Sequence, residues 1–405
     1  MARQTGSQAA EAVVVGAGPA GLTAAIALAV GGIETVLVAK RPDHPDTRTS
    51  ALLAGSVAAL DVLGVWDACR AHAAPLRVMR LADDTQRLLR APEVSFAAAE
   101  IGLDAFGHNI ENRHLVAALE ARAAKLAHLA RIDAPAKAVT PGEEAIAVEL
   151  EDGRTITAQL VIGADGRKSL CRAAVGIATD SLSYPQAALT LNFAHARPHR
   201  DISTEFHTES GPFTLVPLPG DRSSLVCVVA PAEAERLAAL PDDVLSQTVE
   251  RRAHSLLGKV TVEPARGVFP LGVETAQRFA AERVALVGEA AHVVPPIGAQ
   301  GLNLGLRDAA TIDELAIAAR RDDGDLGADD RLARYDRLRR PDIATRTAAV
   351  DMLNRSLLAD FLPAQGLRGF GLYLLERIGP LRRAVMREGV VPSVFEPRLM
   401  RGEAL

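Results

Sequence analysis

Aromatic residues are scarce in this chain, 3% of 405 residues with one tryptophan, Trp66, so a pocket built from it is expected to be lined by aliphatic side chains. Cysteine is rarer still. Cys69, Cys171 and Cys227 are odd in number and far apart, which gives neither a disulfide framework nor the paired spacing of a zinc site. They are expected to be small buried apolar residues. A basic excess is also missing: the formal charge is −5 and the isoelectric point near 6.1, so nucleic acid is not an expected partner. No run reaches the roughly 18 uninterrupted apolar residues that a membrane span needs. The longest apolar stretch, Ala12 to Val30, is cut by Gly16, Gly18, Pro19 and Gly21 and reads as a strand and a helix rather than a signal peptide. A cytoplasmic protein, at most peripheral at the inner membrane face, is the expectation. Ser-His-Asp spacing, metal-ligand clusters and a phosphate-binding lysine loop are lacking too.

What is present suits a small-molecule enzyme. With 48% hydrophobic and 23% charged residues, the chain can bury a sizeable core in two or three structural units. Residues 1–10 are small, polar and expected to be untethered. Ala12 to Val15 reads as a strand, Leu22 to Val30 as a helix, Gly31-Gly32 as its stop and Ile33 to Val38 as a second strand. This βαβ unit places its first strand in the middle of a doubly wound parallel sheet, with ligand at the carboxyl ends of the strands.

The turn Gly16-Ala17-Gly18-Pro19-Ala20-Gly21 carries the chemistry. Its glycines permit a sharp turn, a close approach to a pyrophosphate and tight helix–strand packing, and the helix N-terminus adds partial positive charge. The turn therefore predicts a dinucleotide. A ribose-binding acid is expected about 20 residues on, but Val38 runs into Ala39-Lys40-Arg41. Because there is one such fingerprint, a nicotinamide is expected to bind only transiently.

Further along, Leu76 to Leu89 and about Gln186 to Pro264 contain period-two segments that predict a mainly antiparallel sheet. Ala145 to Leu150 and Thr155 to Ile162 flank the turn Asp152-Gly153, and the second strand ends at Gly163-Ala164-Asp165-Gly166. Arg283 to Val287 is a third return to the first domain, followed by a helix from about Gly301 to Ala318. Arg320 to Asp330 reads as an exposed loop.

Two further motifs identify a resemblance. Val161-Ile162-Gly163-Ala164-Asp165-Gly166-x-x-Ser169-x-x-Arg172 and Val287-Gly288-Glu289-Ala290-Ala291-His292-x-x-Pro295-Pro296 through Gln300-Gly301-Leu302-Asn303-x-Gly305-x-x-Asp308 resemble, in order and spacing, those of class A flavoprotein aromatic hydroxylases. Asp46-x-Arg48-Thr49-Ser50-Ala51-Leu52, Leu63-Gly64-Val65-Trp66, Ile110-Glu111-Asn112-Arg113-x-Leu115 and Tyr335-x-x-Leu338-Arg339-Arg340-Pro341-Asp342 are similar to the ubiquinone-biosynthesis hydroxylases of that family.

The resemblance implies an α/β, para-hydroxybenzoate hydroxylase-like fold. Residues 1–75, 100–180 and 265–335 would form a discontinuous FAD-binding domain, 76–99 and 181–264 a substrate-binding sheet, and 336–405 a helical segment. It implies FAD as cofactor, NADPH or NADH as transient reductant, O2 as co-substrate and a polyprenylated phenol as the ring hydroxylated by way of a C4a-hydroperoxyflavin. It implies cofactor contacts from Gly16, Gly18, Pro19, Ala20, Gly21, Arg48, Arg113, Asp165, Gly166, Arg172, Gly288, Glu289, Gln300, Gly301, Leu302 and Asn303, with pocket support from Pro296, Gln300 and Gly301. No side chain is assigned the chemical step, which the flavin carries.

Arg48 and Arg113 also fit surface ion pairs, and Asp165 also fits a turn cap. His292 reads as a turn-stabilising residue rather than an acid. Three departures stand out: Ala39 for an acid, Glu289 for the family's Asp, and Gly298-Ala299 for Ala-Gly. A lost charge-assisted hydrogen bond is worth about 1.5–3 kcal/mol, so FAD affinity one or two orders of magnitude lower is expected. Leu367, Phe370, Leu374, Ile378, Leu381 and Val385 recur at helical spacing beside Arg368, Arg377, Arg382, Arg383 and Arg387. That stripe would either rest on anionic lipid or pack on the core. Another flavin-dependent hydroxylase or reductase, or a non-catalytic accessory protein of a quinone-biosynthesis complex, remains an alternative. A halogenase is disfavoured because Trp66 has no tryptophan partner.

Overall fold

The computed structural model describes residues 7–41, 46–85, 91–358, 377–390 and 395–405. Ala12–Val15, Thr35–Val38, Leu160–Gly163 and Val284–Leu286 are buried at every position, the signature of parallel strands covered on both faces. They form the centre of a six-stranded sheet in the order Ala280–Ala281, Val284–Leu286, Leu160–Gly163, Ala12–Val15, Thr35–Val38, Leu129–Ile132. Only the first pair is antiparallel. The first strand of the βαβ unit is thus interior, as the early position of the glycine turn requires. The helix Pro19–Val30 begins with proline, whose missing N–H would be unpaired there anyway, and stops at Gly31.

An eight-stranded sheet lies beside it, ordered His292–Val293, Val260–Ala276, Thr179–His195, Arg222–Val229, Gly211–Leu218, Ile202–Thr208, Val78–Asp83, Val94–Ala97. Along Thr179–His195, Ala187, Leu189, Leu191 and Phe193 alternate onto one face, where the helices Pro231–Ala238 and Asp242–Arg252 cover them through Ala234, Leu237, Leu245 and Val249. Ala188, Val226, Val228 and Leu271 take the other face. A three-stranded sheet, Thr49–Leu53, Gly107–Glu111 and Ala73–Pro75, packs against the strand Gly211–Leu218 of the eight-stranded one.

Four sequence expectations change. Ser7–Ala9 is not untethered but pairs in parallel with Thr155–Thr157, while the Gln8 and Ala9 side chains are exposed, so main-chain pairing holds the segment. Thr155 to Ile162 is not one strand: Thr155–Ala158 belongs to a four-stranded sheet and Leu160–Gly163 to the parallel sheet, with the chain changing sheets at Gln159. The segment 320–330 is not a plain exposed loop, because the helix Gln300–Arg321 enters it and Leu326 is buried against the core. Of the C-terminal stripe, Leu367, Phe370 and Leu374 lie outside the described residues, and Ile378, Leu381 and Val385 are exposed beside and along the helix Gly379–Val390. All three cysteines are free and buried, as expected; burial pushes the Cys69 thiol up to about 11.

Candidate cofactor site

Parallel pairing sets Val15, Gly163 and Leu286 side by side at the carboxyl ends of three adjacent strands. Each strand runs directly into one of the three motifs, so register alone brings them together. Gly16 has φ +110°, and a Cβ on it would stand 2.2 Å from the Ala164 carbonyl oxygen. A Cβ on Gly21 would stand 2.1 Å from the Gly16 oxygen. Only glycine allows the first and second motifs to approach this closely. The third joins them where Gly305 faces Gly288: a Cβ there would lie 3.0 Å from the Gly288 Cα and 3.3 Å from the Ala20 Cβ.

Gly18 differs from these. A Cβ built on it meets no atom within 4 Å. It is the N-cap of Pro19–Val30, no side chain caps the helix, and its first turn holds no acid. The first N–H groups, with the helix dipole behind them, therefore face an open place suited to an anion. Gln300–Arg321 starts in the same way: its N-cap Ala299 lies in the left-handed region at φ 55°, after Gly298 at φ 66°, again without a side-chain cap.

Asp165 follows the middle one of the three adjacent strands. Its Oδ2 accepts the Cys171 N–H at 3.0 Å in the first turn of the helix Leu170–Ala174, which Ser169 caps, while Oδ1 is buried and has no hydrogen-bond partner among the described residues. A buried carboxylate oxygen left unpaired is costly, so the pattern fits a ligand hydroxyl or N–H. Gly166 follows at φ 79° with open space where its Cβ would be. Arg172 is placed differently from a ligand contact. It donates to the Ala290 carbonyl at 2.8 Å, the Arg167 carbonyl at 2.8 Å and Glu274 at 3.2 Å, fastening the second motif to the third.

Arg48 is half exposed and held in a bidentate pair by Asp46, with Nη2 to Oδ2 at 2.8 Å. Its guanidinium lies 5.3 Å from the Phe269 ring centroid on the large sheet and within electrostatic reach of exposed Glu289. The Asp46 bonds raise its pKa further. Arg113 is exposed, pairs with Glu111 at 3.0 Å, and its N–H donates to the Asp46 carbonyl, so both arginines converge on one loop. Asn303 is buried: Nδ2 donates to Ala299 and Ala51, and Oδ1 accepts from the Leu53 N–H and the Ser56 hydroxyl. It ties the Gln300 turn to the strand after Arg48. Gln300 and Leu302 are half-buried, while Gly301 and Pro296 are exposed.

Behind the third motif lies a buried ionic network. Asp308 Oδ2 accepts the Gly288 N–H at 3.0 Å and His292 Nε2 at 2.6 Å, while Oδ1 accepts Arg339 Nε at 2.7 Å. Asp342 receives Arg339 and Arg307 at 2.7 Å each and Arg346 at 3.0 Å. Arg346 then donates to Gln300 Oε1 at 3.0 Å and to the Glu388 carbonyl at 3.1 Å. Burial pushes the Asp308 carboxyl up, but His292 and Arg339 outweigh it and hold the group ionised below its ordinary range. His292 is thus the turn-stabilising residue anticipated, buried against Asp308. Arg339 and Asp342 stand in the Tyr335 segment without a role legible there, and Arg346 has no signal beyond an arginine four residues after an aspartate.

A glycine-rich turn, two helix N-termini without side-chain caps and a buried carboxylate oxygen without a hydrogen-bond partner among the described residues mark a crevice suited to a dinucleotide. The FAD binding domain family matches residues 9–349 of the chain. Ubiquinone hydroxylase UbiL of Rhodospirillum rubrum is 36% identical, covering 98% of this chain and 94% of that protein. The 3-demethoxyubiquinol 3-hydroxylase of Escherichia coli is 31% identical over 94% of this chain and 98% of its own. Among solved structures, p-nitrophenol 4-monooxygenase PnpA of Pseudomonas putida matches with a TM-score of 0.78 over 94% of this chain and 98% of that one, at 19% identity. The chain belongs to this FAD-binding family of flavoprotein monooxygenases, alongside the ubiquinone hydroxylases.

Proposed function

We propose that the protein is an FAD-dependent, NAD(P)H-using monooxygenase that hydroxylates the aromatic ring of a polyprenylated phenol on the way to ubiquinone. The observation that carries this reading is near full-length similarity to ubiquinone hydroxylases in a chain whose own crevice has the open Gly18 and unpaired Asp165 oxygen that FAD needs. Bound there, FAD supplies hydride acceptance from the nicotinamide and activation of O2.

The chain supplies position and electrostatics. The backbone N–H groups of Gly18, Ala20 and Gly21 would hold the pyrophosphate, with Asp165 and Gly166 on the neighbouring hydroxyls and Arg48 and Arg113 contributing positive charge from the adjoining loop. The Gly288-Glu289 turn approaches the same crevice, its peptide fixed by Asp308. The N-terminal turn Gln300 to Asn303 would offer its N–H groups and dipole to bound flavin and stabilise negative charge on it. Arg172 and the Asn303 side chain hold the motifs together instead of touching the cofactor. Ala188, Val226, Val228 and Leu271 offer an aliphatic sheet face suited to a prenylated ring.

The membrane would be met by Ile378, Leu381 and Val385, which are exposed next to Arg383 and Arg387 on the helix Gly379–Val390. Among the described residues no helix is long and apolar enough to cross a membrane. Deleting the gene and measuring quinone precursors by mass spectrometry tests the assignment. Accumulation of a prenylated phenol lacking one hydroxyl is expected; an unchanged quinone pool rejects it.

A further inference from the structure

The second parallel strand ends at Val38, where a dinucleotide fold usually places a carboxylate on the adenosine ribose, and here the next residue is Ala39. The adjacent strand offers one instead. Thr35–Val38 and Leu129–Ile132 pair in parallel with Val38 opposite Ile132, and the Ala39 N–H donates to the Ile132 carbonyl at 3.2 Å. Asp133 is therefore the first residue beyond the neighbouring strand's carboxyl end, level with Ala39. Its Oδ1 accepts the Arg41 N–H at 2.8 Å, which fixes the carboxylate beside the loop that follows Ala39. Among the described residues its Oδ2 makes only a loose 3.8 Å contact with Arg41 Nε, and the side chain is 55% exposed, so this oxygen stays open to a ligand.

We propose that Asp133 is a binding residue for the adenosine ribose of FAD, supplying from the neighbouring strand the acceptor that Ala39 cannot. The inference rests on the FAD reading above. A vicinal diol presents two O–H donors, and an ionised carboxylate is an acceptor at both oxygens. The small Ala39 side chain leaves the space beside Asp133 unfilled by a competing acid. The affinity penalty expected from Ala39 alone is accordingly offset.

The test titrates apo-protein with FAD and, separately, with FMN, which lacks the adenosine, following flavin fluorescence. Wild type, Asp133→Asn, Asp133→Ala and the double variant Asp133→Ala with Ala39→Glu are compared, with thermal melting as the check on folding. Losing a charge-assisted hydrogen bond raises the FAD Kd about ten- to hundredfold in both single variants. The FMN Kd moves by less than about twofold, the ordinary range for an exposed substitution, and Ala39→Glu restores FAD binding. FAD and FMN affinities that fall together, or an FAD affinity indifferent to Asp133, overturn the inference while leaving the FAD reading intact. Wild-type protein that binds neither flavin overturns both.

Discussion

Replacing Gly18 by alanine separates cofactor binding from folding more cleanly than any other change in the glycine turn. Its backbone, at φ −69° and ψ 171°, suits any residue, and the added Cβ meets no protein atom within 4 Å. The apo-protein is therefore expected to keep its melting temperature or gain slightly, since removing a glycine from the unfolded chain is worth about 0.4–1 kcal/mol. The new methyl group stands where a pyrophosphate must come to reach the uncapped N–H groups. An FAD affinity at least about tenfold weaker, roughly 1.4 kcal/mol, follows. Gly21→Ala behaves in the opposite order: its Cβ would overlap the Gly16 carbonyl at 2.1 Å, so the apo-protein itself loses roughly 1–3 kcal/mol before any ligand is added. Circular-dichroism melts of the apo-proteins and flavin titrations measure both quantities. A Gly18→Ala protein with unchanged FAD affinity, or with a lowered apo melting temperature, would refute the reasoning.

Three further outcomes are expected. Asp313 lies buried in the helix Gln300–Arg321 with no hydrogen-bond partner for either oxygen among the described residues, and burial raises its pKa well above the usual carboxyl value. Folding then favours the protonated form, so its penalty is absent below the unfolded pKa of about 3.9 and grows as pH rises above it. Asp313→Leu should stabilise the protein by about 1–3 kcal/mol near pH 7 and by less near pH 4 in urea titrations; equal gains at both pH values would contradict the ionisation argument. Ala299 holds a left-handed conformation that costs a non-glycine residue about 1–2 kcal/mol, so Ala299→Gly should raise the denaturation midpoint, whereas a lower midpoint would show the turn is not strained. Asp308→Asn leaves Arg339 short of a buried counter-charge and should cost about 3–5 kcal/mol by chemical denaturation, with a loss under 1 kcal/mol counting against the network.

Legibility in the sequence followed the kind of physics involved. The parallel sheet could be read because strands buried on both faces are continuously apolar and the glycine spacing of Gly16 to Gly21 answers to backbone contacts. The resemblance then pointed to Asp165, Gly288 and the Gln300 turn as expected cofactor contacts. It did not reveal that Arg172 and Asn303 bind protein acceptors, because a side chain's partner is set by tertiary geometry. Arg339, Asp342 and Arg346 resemble an ordinary charged helix surface, and only packing shows that they are buried. Ser7–Ala9 and Asp133 gave no pattern at all: one is held by main-chain bonds, the other is a single exposed acid whose neighbour across the sheet is more than 90 residues away in sequence.

On the proposed function, this crevice holds FAD and directs one oxygen atom of O2 onto an aromatic ring. Incubating FAD-loaded protein with NADH or NADPH and a prenylated phenol under oxygen-18 gas, then weighing the product by mass spectrometry, measures that directly. A hydroxylated ring carrying one oxygen-18 atom, formed only when flavin is present, is expected. A product without the label, or nicotinamide oxidation that yields no hydroxylated ring, would contradict it.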